Sequence, residues 1–210
     1  MADKIIENNQ VSIIGKVASS FTFSHQVFGE GFYLVDVLVK RLSDSEDRIP
    51  LMVYERLVDV SQDYEGEYIM VQGQFRSYNR HEEKKNRLVL SVFVRELSFV
   101  EEADDSIKTN QIFLDGYICK PPVYRKTPLG REIADLLLAV NRPYGKSDYI
   151  PCICWGRNAQ FVADLKIGSR LRVDGRIQSR NYFKKHEDGT IKEQRTAYEI
   201  SVSNITVIEE

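Results

Sequence analysis

The side chains best equipped for chemistry in this 210-residue chain are flat rings and guanidinium groups, not nucleophiles or metal ligands. Tyr149, Trp155 and Tyr182 recur among Arg172, Arg176 and Arg180 in two stretches of the second half. Rings offer stacking surfaces, and guanidinium groups pair with phosphate or carboxylate oxygens and also lie over rings. Other chemistry finds no footing. There is no P-loop, no His-Glu-x-x-His, no Gly-x-Ser-x-Gly and no Cys–His pairing at a usable spacing. His25, His81 and His186 stand apart in segments that read as loops, and the acidic residues show no two-metal grouping. A lone Cys-x-Cys at Cys152 and Cys154, with Cys119 the third cysteine, is poor zinc evidence and reads as reduced thiols in a strand core. The sequence therefore predicts a binding protein rather than an enzyme, with no catalytic residue, no metal and no cofactor.

The elements that must hold those rings repeat along the chain. Asn9-Gln10-Val11 through Gly15 parallels Asn110-Gln111-Ile112 through Gly116, and Ile49-Pro50 parallels Ile150-Pro151, both at an offset of 101. Gly66 through Gly73 parallels Gly168 through Gly175 at 102, so the insertions fall in loops, where they are tolerated. The division reads as a first domain over 1–102, a linker over 103–108 and a second domain over 109–210. In the second copy, runs rich in Val, Ile and Tyr predict strands over 111–119, 133–141, 148–155, 169–182 and 197–208. A helix over 157–166 carries Phe161, Val162 and Leu165 on one stripe and stops at Gly168.

Five strands with a helix between the third and fourth is the order of an OB fold, a small Greek-key barrel. The expected fold class is all-β: two tandem five-stranded OB-fold barrels, each with that short helix, the halves sharing neither sheet nor core. Alternation places Ile150, Cys152 and Cys154 inward, with Leu171, Val173, Gly175 and Ile177. It turns Tyr149, Pro151, Ile153 and Trp155 outward, with Arg172, Arg176, Gln178, Arg180 and Tyr182. Cationic grooves interleaved with aromatic platforms suit single-stranded nucleic acid, because every base has a face to stack.

Net charge divides the copies. Residues 1–105 hold 12 Lys+Arg against 19 Asp+Glu, a net of −7, whereas residues 106–210 hold 17 against 12, a net of +5. The second half is therefore the expected phosphate partner, and Arg76 in the first half is expected to contribute little. No apolar run approaches the roughly 20 residues of a membrane span, and the opening residues carry no export signal, which points to the cytoplasm.

Three blocks of the second copy resemble bacterial single-stranded DNA-binding proteins: 128–142, ending in Leu138-Ala139-Val140-Asn141-Arg142; 150–159, with Cys154-Trp155-Gly156-Arg157; and 168–177, with Val173-Asp174-Gly175-Arg176. The resemblance implies base-stacking rings at Tyr144, Tyr149, Trp155 and Tyr182, with Arg142 joining the other arginines of the face. In the first copy Tyr54 matches Trp155, but Arg48 replaces Tyr149 and Arg80 replaces Tyr182, while Tyr78 lies outward two residues earlier. Leu38-Val39-Lys40-Arg41-Leu42 is a faint echo of Leu138 through Arg142, and the acidic, degenerate first copy reads mainly as an assembly module.

The family works as four barrels, so the resemblance implies a homodimer that rebuilds a pseudo-tetramer at the bacterial nucleoid. Family members carry an acidic tail tip that recruits replication proteins. This chain stops at Ile208-Glu209-Glu210, so recruitment through such a tip is not expected. Two other readings stay open: a primosome-type pair of OB folds that contacts replication proteins, and a binder of single-stranded RNA.

Overall fold

The structure, a computed structural model, describes residues 7–43, 45–82, 85–102, 107–185 and 191–209, the side chains of 79–87 and 184–193 apart. Residues 103–106 of the expected linker lie outside the described residues, as do the side chains of Arg80, His81 and His186. The first half contains β1 (Asn9–Val17), β2 (Thr22–Val27), β3 (Glu30–Lys40), β4 (Glu46–Tyr54), β5 (Tyr68–Glu82) and β6 (Lys85–Val100). The second contains β7 (Asn110–Ile118), β8 (Val123–Lys126), β9 (Glu132–Asn141), β10 (Ser147–Trp155), helix α1 (Arg157–Ala163), β11 (Arg170–Lys185) and β12 (Ile191–Ile208).

Each half closes on itself. In the first, β1 pairs β3, β3 pairs β4, β4 runs parallel to β6, and β6 returns through β5 to β1. In the second, β7, β9, β10, β12 and β11 close the same ring, again with one parallel pair, β10 with β12. Both are OB-fold barrels, with β2 and β8 as added edge strands. The inward set is buried as alternation requires: Ile150, Cys152, Cys154, Leu171, Val173 and Ile177 are each at most 2% exposed. Gly175 sits at a bulge, and its counterpart Gly73 sits at another. A Cβ at Gly73 would stand 2.1 Å from the Phe93 carbonyl oxygen, and one at Gly175 would stand 2.4 Å from that of Ser201, so no side chain fits at either.

Four expectations need correction. The halves do share a sheet, because β1 pairs antiparallel with β7 and joins all twelve strands into one hydrogen-bonded order. Over residues 9–13 the side of β1 away from β5 is not taken up by β3, which meets β1 only at Lys16 and Val17. An unpaired edge of that kind is a template for another strand, and the equivalent edge of β7 meets it. The pairing centres on Val11 opposite Ile112, residues equivalent under the repeat, so the barrels are related by a local two-fold.

The second correction is that the first barrel has no helix between its third and fourth ring strands. Residues 55–67 form turns instead, with Asp59 accepting hydrogen bonds from the Ser61 amide and hydroxyl and Asp63 accepting from the Glu65 amide. Such local bonds compete with helix formation, and Leu57, Val58 and Tyr64 pack on the core from this irregular segment. Third, α1 is shorter than predicted and inserts Ala159 and Val162, leaving Phe161 half exposed. Fourth, Ile153 and Gln178 are buried although they lie on the outward registers of β10 and β11.

Candidate nucleic-acid interface

On β10, Tyr149 and Trp155 stand on the outward register, 44% and 39% exposed, opposite Ala139 and Ile133 of β9. Tyr144 occupies the turn Pro143–Gly145 just before, almost fully exposed and held at φ +64°, a left-handed conformation that costs a tyrosine energy. Tyr182 is exposed farther along the β11–β12 hairpin, two residues beyond Arg180, whose guanidinium lies 3.8 Å from Glu199. These five residues present rings and a cation to solvent. In the first barrel Tyr78 is exposed, whereas Tyr54 is half buried, its hydroxyl on Glu30 and its ring between Phe32 at 5.3 Å and the Arg56 guanidinium at 5.8 Å.

Arg172 lies elsewhere. It stands ten residues before Tyr182 on the same strand, roughly 33 Å at strand rise, and donates to Asp115 at 3.1 Å. Burial alone would raise the Asp115 pKa, but the hydrogen bonds from Arg170 and Arg172 outweigh it and hold the carboxyl below its ordinary range.

Arg142 and Arg176 belong to a seam between the barrels that sequence reasoning missed. Asp148, 2% exposed at its side chain, accepts from Arg142 Nε at 2.7 Å and from the Ser77 amide of the first barrel at 2.6 Å. Arg142 Nη2 also donates to the Ser77 carbonyl at 2.8 Å, and the Tyr149 amide donates to Ser77 Oγ at 2.7 Å. The other barrel mirrors this. Asp47, 1% exposed, accepts from Arg41 Nε at 2.9 Å, from the Ser179 amide at 2.7 Å and from Arg176 Nη1 at 2.9 Å. The Arg48 amide donates to Ser179 Oγ at 3.1 Å.

Strand register makes Arg41 the counterpart of Arg142, one residue from where the echo of Leu138 through Arg142 places it. A signal for this seam did exist in the sequence. Both copies carry an arginine six residues before an aspartate, and that aspartate falls on the inward parity of its strand, where a charge demands a partner. Among the described residues no group of three or more His, Cys, Asp and Glu could hold a metal ion, and no helix is long and apolar enough to cross a membrane.

The second barrel's sequence matches the model of the "Single-strand binding protein family" over residues 109–208. Single-stranded DNA-binding protein 3 of Listeria innocua is 44% identical over 80 residues, 35% of this chain and 50% of the relative. Single-stranded DNA-binding protein A of Bacillus subtilis is also 44% identical over 80 residues, 46% of its length. The chain thus spans about half the length of the curated relatives it matches. In fold, the likeness covers both barrels: a deletion mutant of the single-stranded DNA binding protein from Thermus aquaticus superposes with a TM-score of 0.70 at 19% identity, over 96% of this chain and 95% of that one.

Proposed function

We propose that this chain binds single-stranded DNA without sequence specificity, protecting it in replication, recombination or repair in the bacterial cytoplasm. The observation that carries the reading is the pair of exposed rings, Tyr149 and Trp155, on one outward strand face of the barrel whose sequence matches the single-strand binding family. Bases stack on these rings and on Tyr144 and Tyr182, while Arg180 meets the backbone between them. Tyr54 and Tyr78 offer weaker surfaces on the first barrel. Arg142 and Arg176 fix the seam that orients both faces, and Arg172 adds positive field rather than a contact beside the rings.

The residues divide into domains at 1–102 and 109–210. Two such chains pair through their sheets into a four-barrel assembly. The test is a titration of the full chain with oligo-dT, read by the fluorescence of Trp155, the only tryptophan. Quenching on binding, with much weaker binding of duplex, is the expected result. Equal affinity for duplex, or binding that leaves Trp155 emission unchanged, overturns the reading. Strand cleavage with magnesium or manganese present would overturn the view that the chain only binds.

A further inference from the structure

The two sides of the seam are unequal in charge. On one side Asp47 is met by two arginines, Arg41 and Arg176. On the other, Asp148 is met by Arg142, and the neighbouring Arg76 makes no ion pair with any carboxylate among the described residues. Arg76 Nη2 donates to Gln74, and its guanidinium lies 5.3 Å over the Phe93 ring. Its Nε is the one buried side-chain nitrogen or oxygen among the described residues that lacks a hydrogen-bond partner. Burial, followed by the like charge of Arg142, lowers its pKa from the ordinary arginine value; Asp148 offsets part of this and Arg95 adds to it. Arg76 thus feels the like charges of Arg142 and Arg95 against the single carboxylate of Asp148, with a fork of donors only partly used.

The position deepens the contrast. Under the repeat, Arg76 corresponds to Gln178 of the second barrel, an uncharged side chain that is buried and donates to the Glu199 carboxylate at 2.7 Å. An arginine here is therefore not required to close an OB barrel. It sits one residue before Ser77, whose amide and hydroxyl bond Asp148 and the Tyr149 amide of the other barrel, so its backbone lies at the seam beside β10.

We infer that Arg76, backed by Arg95 and Arg142, receives a backbone phosphate of the single strand where it crosses the seam from the second barrel to the first. This rests on the proposed single-strand binding. Phosphodiester oxygens fit a guanidinium fork, and a desolvated cation held over a ring gains most from such an anion. The inference reverses the expectation that the acidic first copy takes little part, because local geometry outweighs net charge beyond a Debye length of about 8–10 Å.

The experiment is a set of oligo-dT titrations of the full chain over a range of salt concentrations, with thermal melting of each variant. Arg76→Gln, the residue the repeat already carries at the equivalent place, is expected to bind several-fold more weakly at low salt. It should flatten the dependence of log K on log salt by about 0.7, one phosphate contact, and melt no lower than wild type because a buried unpaired donor is gone. Arg76→Lys should keep most of the slope. Trp155→Ala should weaken binding with the slope unchanged. An unchanged slope in Arg76→Gln, while Trp155→Ala still weakens binding, overturns the phosphate site alone. A sharply lowered melting temperature would show the guanidinium to be a packing element, which also overturns it. Failure of the wild type to bind oligo-dT sinks the underlying function instead.

Discussion

At the scale of the residue, Trp155 and its neighbours divide the work by exposure. Trp155→Ala should cost about 1–3 kcal/mol of oligo-dT binding, with Tyr149→Ala and Tyr182→Ala similar. Tyr54→Ala should cost less, since Phe32, Arg56 and Glu30 already occupy its ring and hydroxyl. Isothermal titration ranks the four, and a larger loss at Tyr54 would move the main site to the first barrel. The thiols give a second test. Burial, with the charge of Asp135 behind it, pushes the Cys154 thiol up to about 12, and burial puts Cys152 well above its ordinary value. Raised values mean that neither is a thiolate at pH 8, so a thiol reagent should label no more than Cys119 in the native chain and all three cysteines in denaturant. More than one equivalent of native labelling would contradict this. Alternation alone was enough to turn Tyr149, Trp155 and Tyr182 outward. It did not reveal the burial of Ile153, because parity states which face a side chain takes and not what covers that face.

Among the elements, the ring strands were readable because their inward positions are apolar at every second residue, and the helix of the second copy because Phe161, Val162 and Leu165 fall on one stripe. Of these three only Val162 is a buried residue of α1: Phe161 is half exposed and Leu165 packs from beyond Ala163. The missing helix of the first copy was not, since the repeat suggested it while Asp59 and Asp63 bond locally to turns instead. The two bulges are the least tolerant points. Gly73→Ala or Gly175→Ala should destabilise by about 2–3 kcal/mol or more, because the added carbon meets a backbone carbonyl that cannot swing away; urea unfolding measures the loss. The seam is the other sensitive place. Asp148→Ala leaves Arg142 and the Ser77 amide without their shared acceptor, and about 3 kcal/mol of destabilisation is expected, toward the low end for a broken buried pair because Arg142 is partly exposed. A change below about 0.5 kcal/mol would show that the seam contributes little to holding the barrels.

For the whole molecule, the proposed four-barrel assembly predicts a homodimer of about twice the chain mass in light scattering, and a monomer at all concentrations would count against it. The union of β1 with β7 was not legible beforehand, because periodicity describes faces of strands and is silent about which edges remain open. That union has a consequence in mass action. In a dimer of single-barrel chains such a pairing is bimolecular and dissolves on dilution. Here the partners are parts of one polymer, and a short connection holds them at an effective concentration on the order of millimolar. Diluting the protein can therefore separate one chain from another long before it parts β1 from β7. At the lowest concentrations each chain that meets a strand still arrives with both barrels and an intact seam, so a binding isotherm measured far below the dimer's dissociation constant should report a two-barrel site.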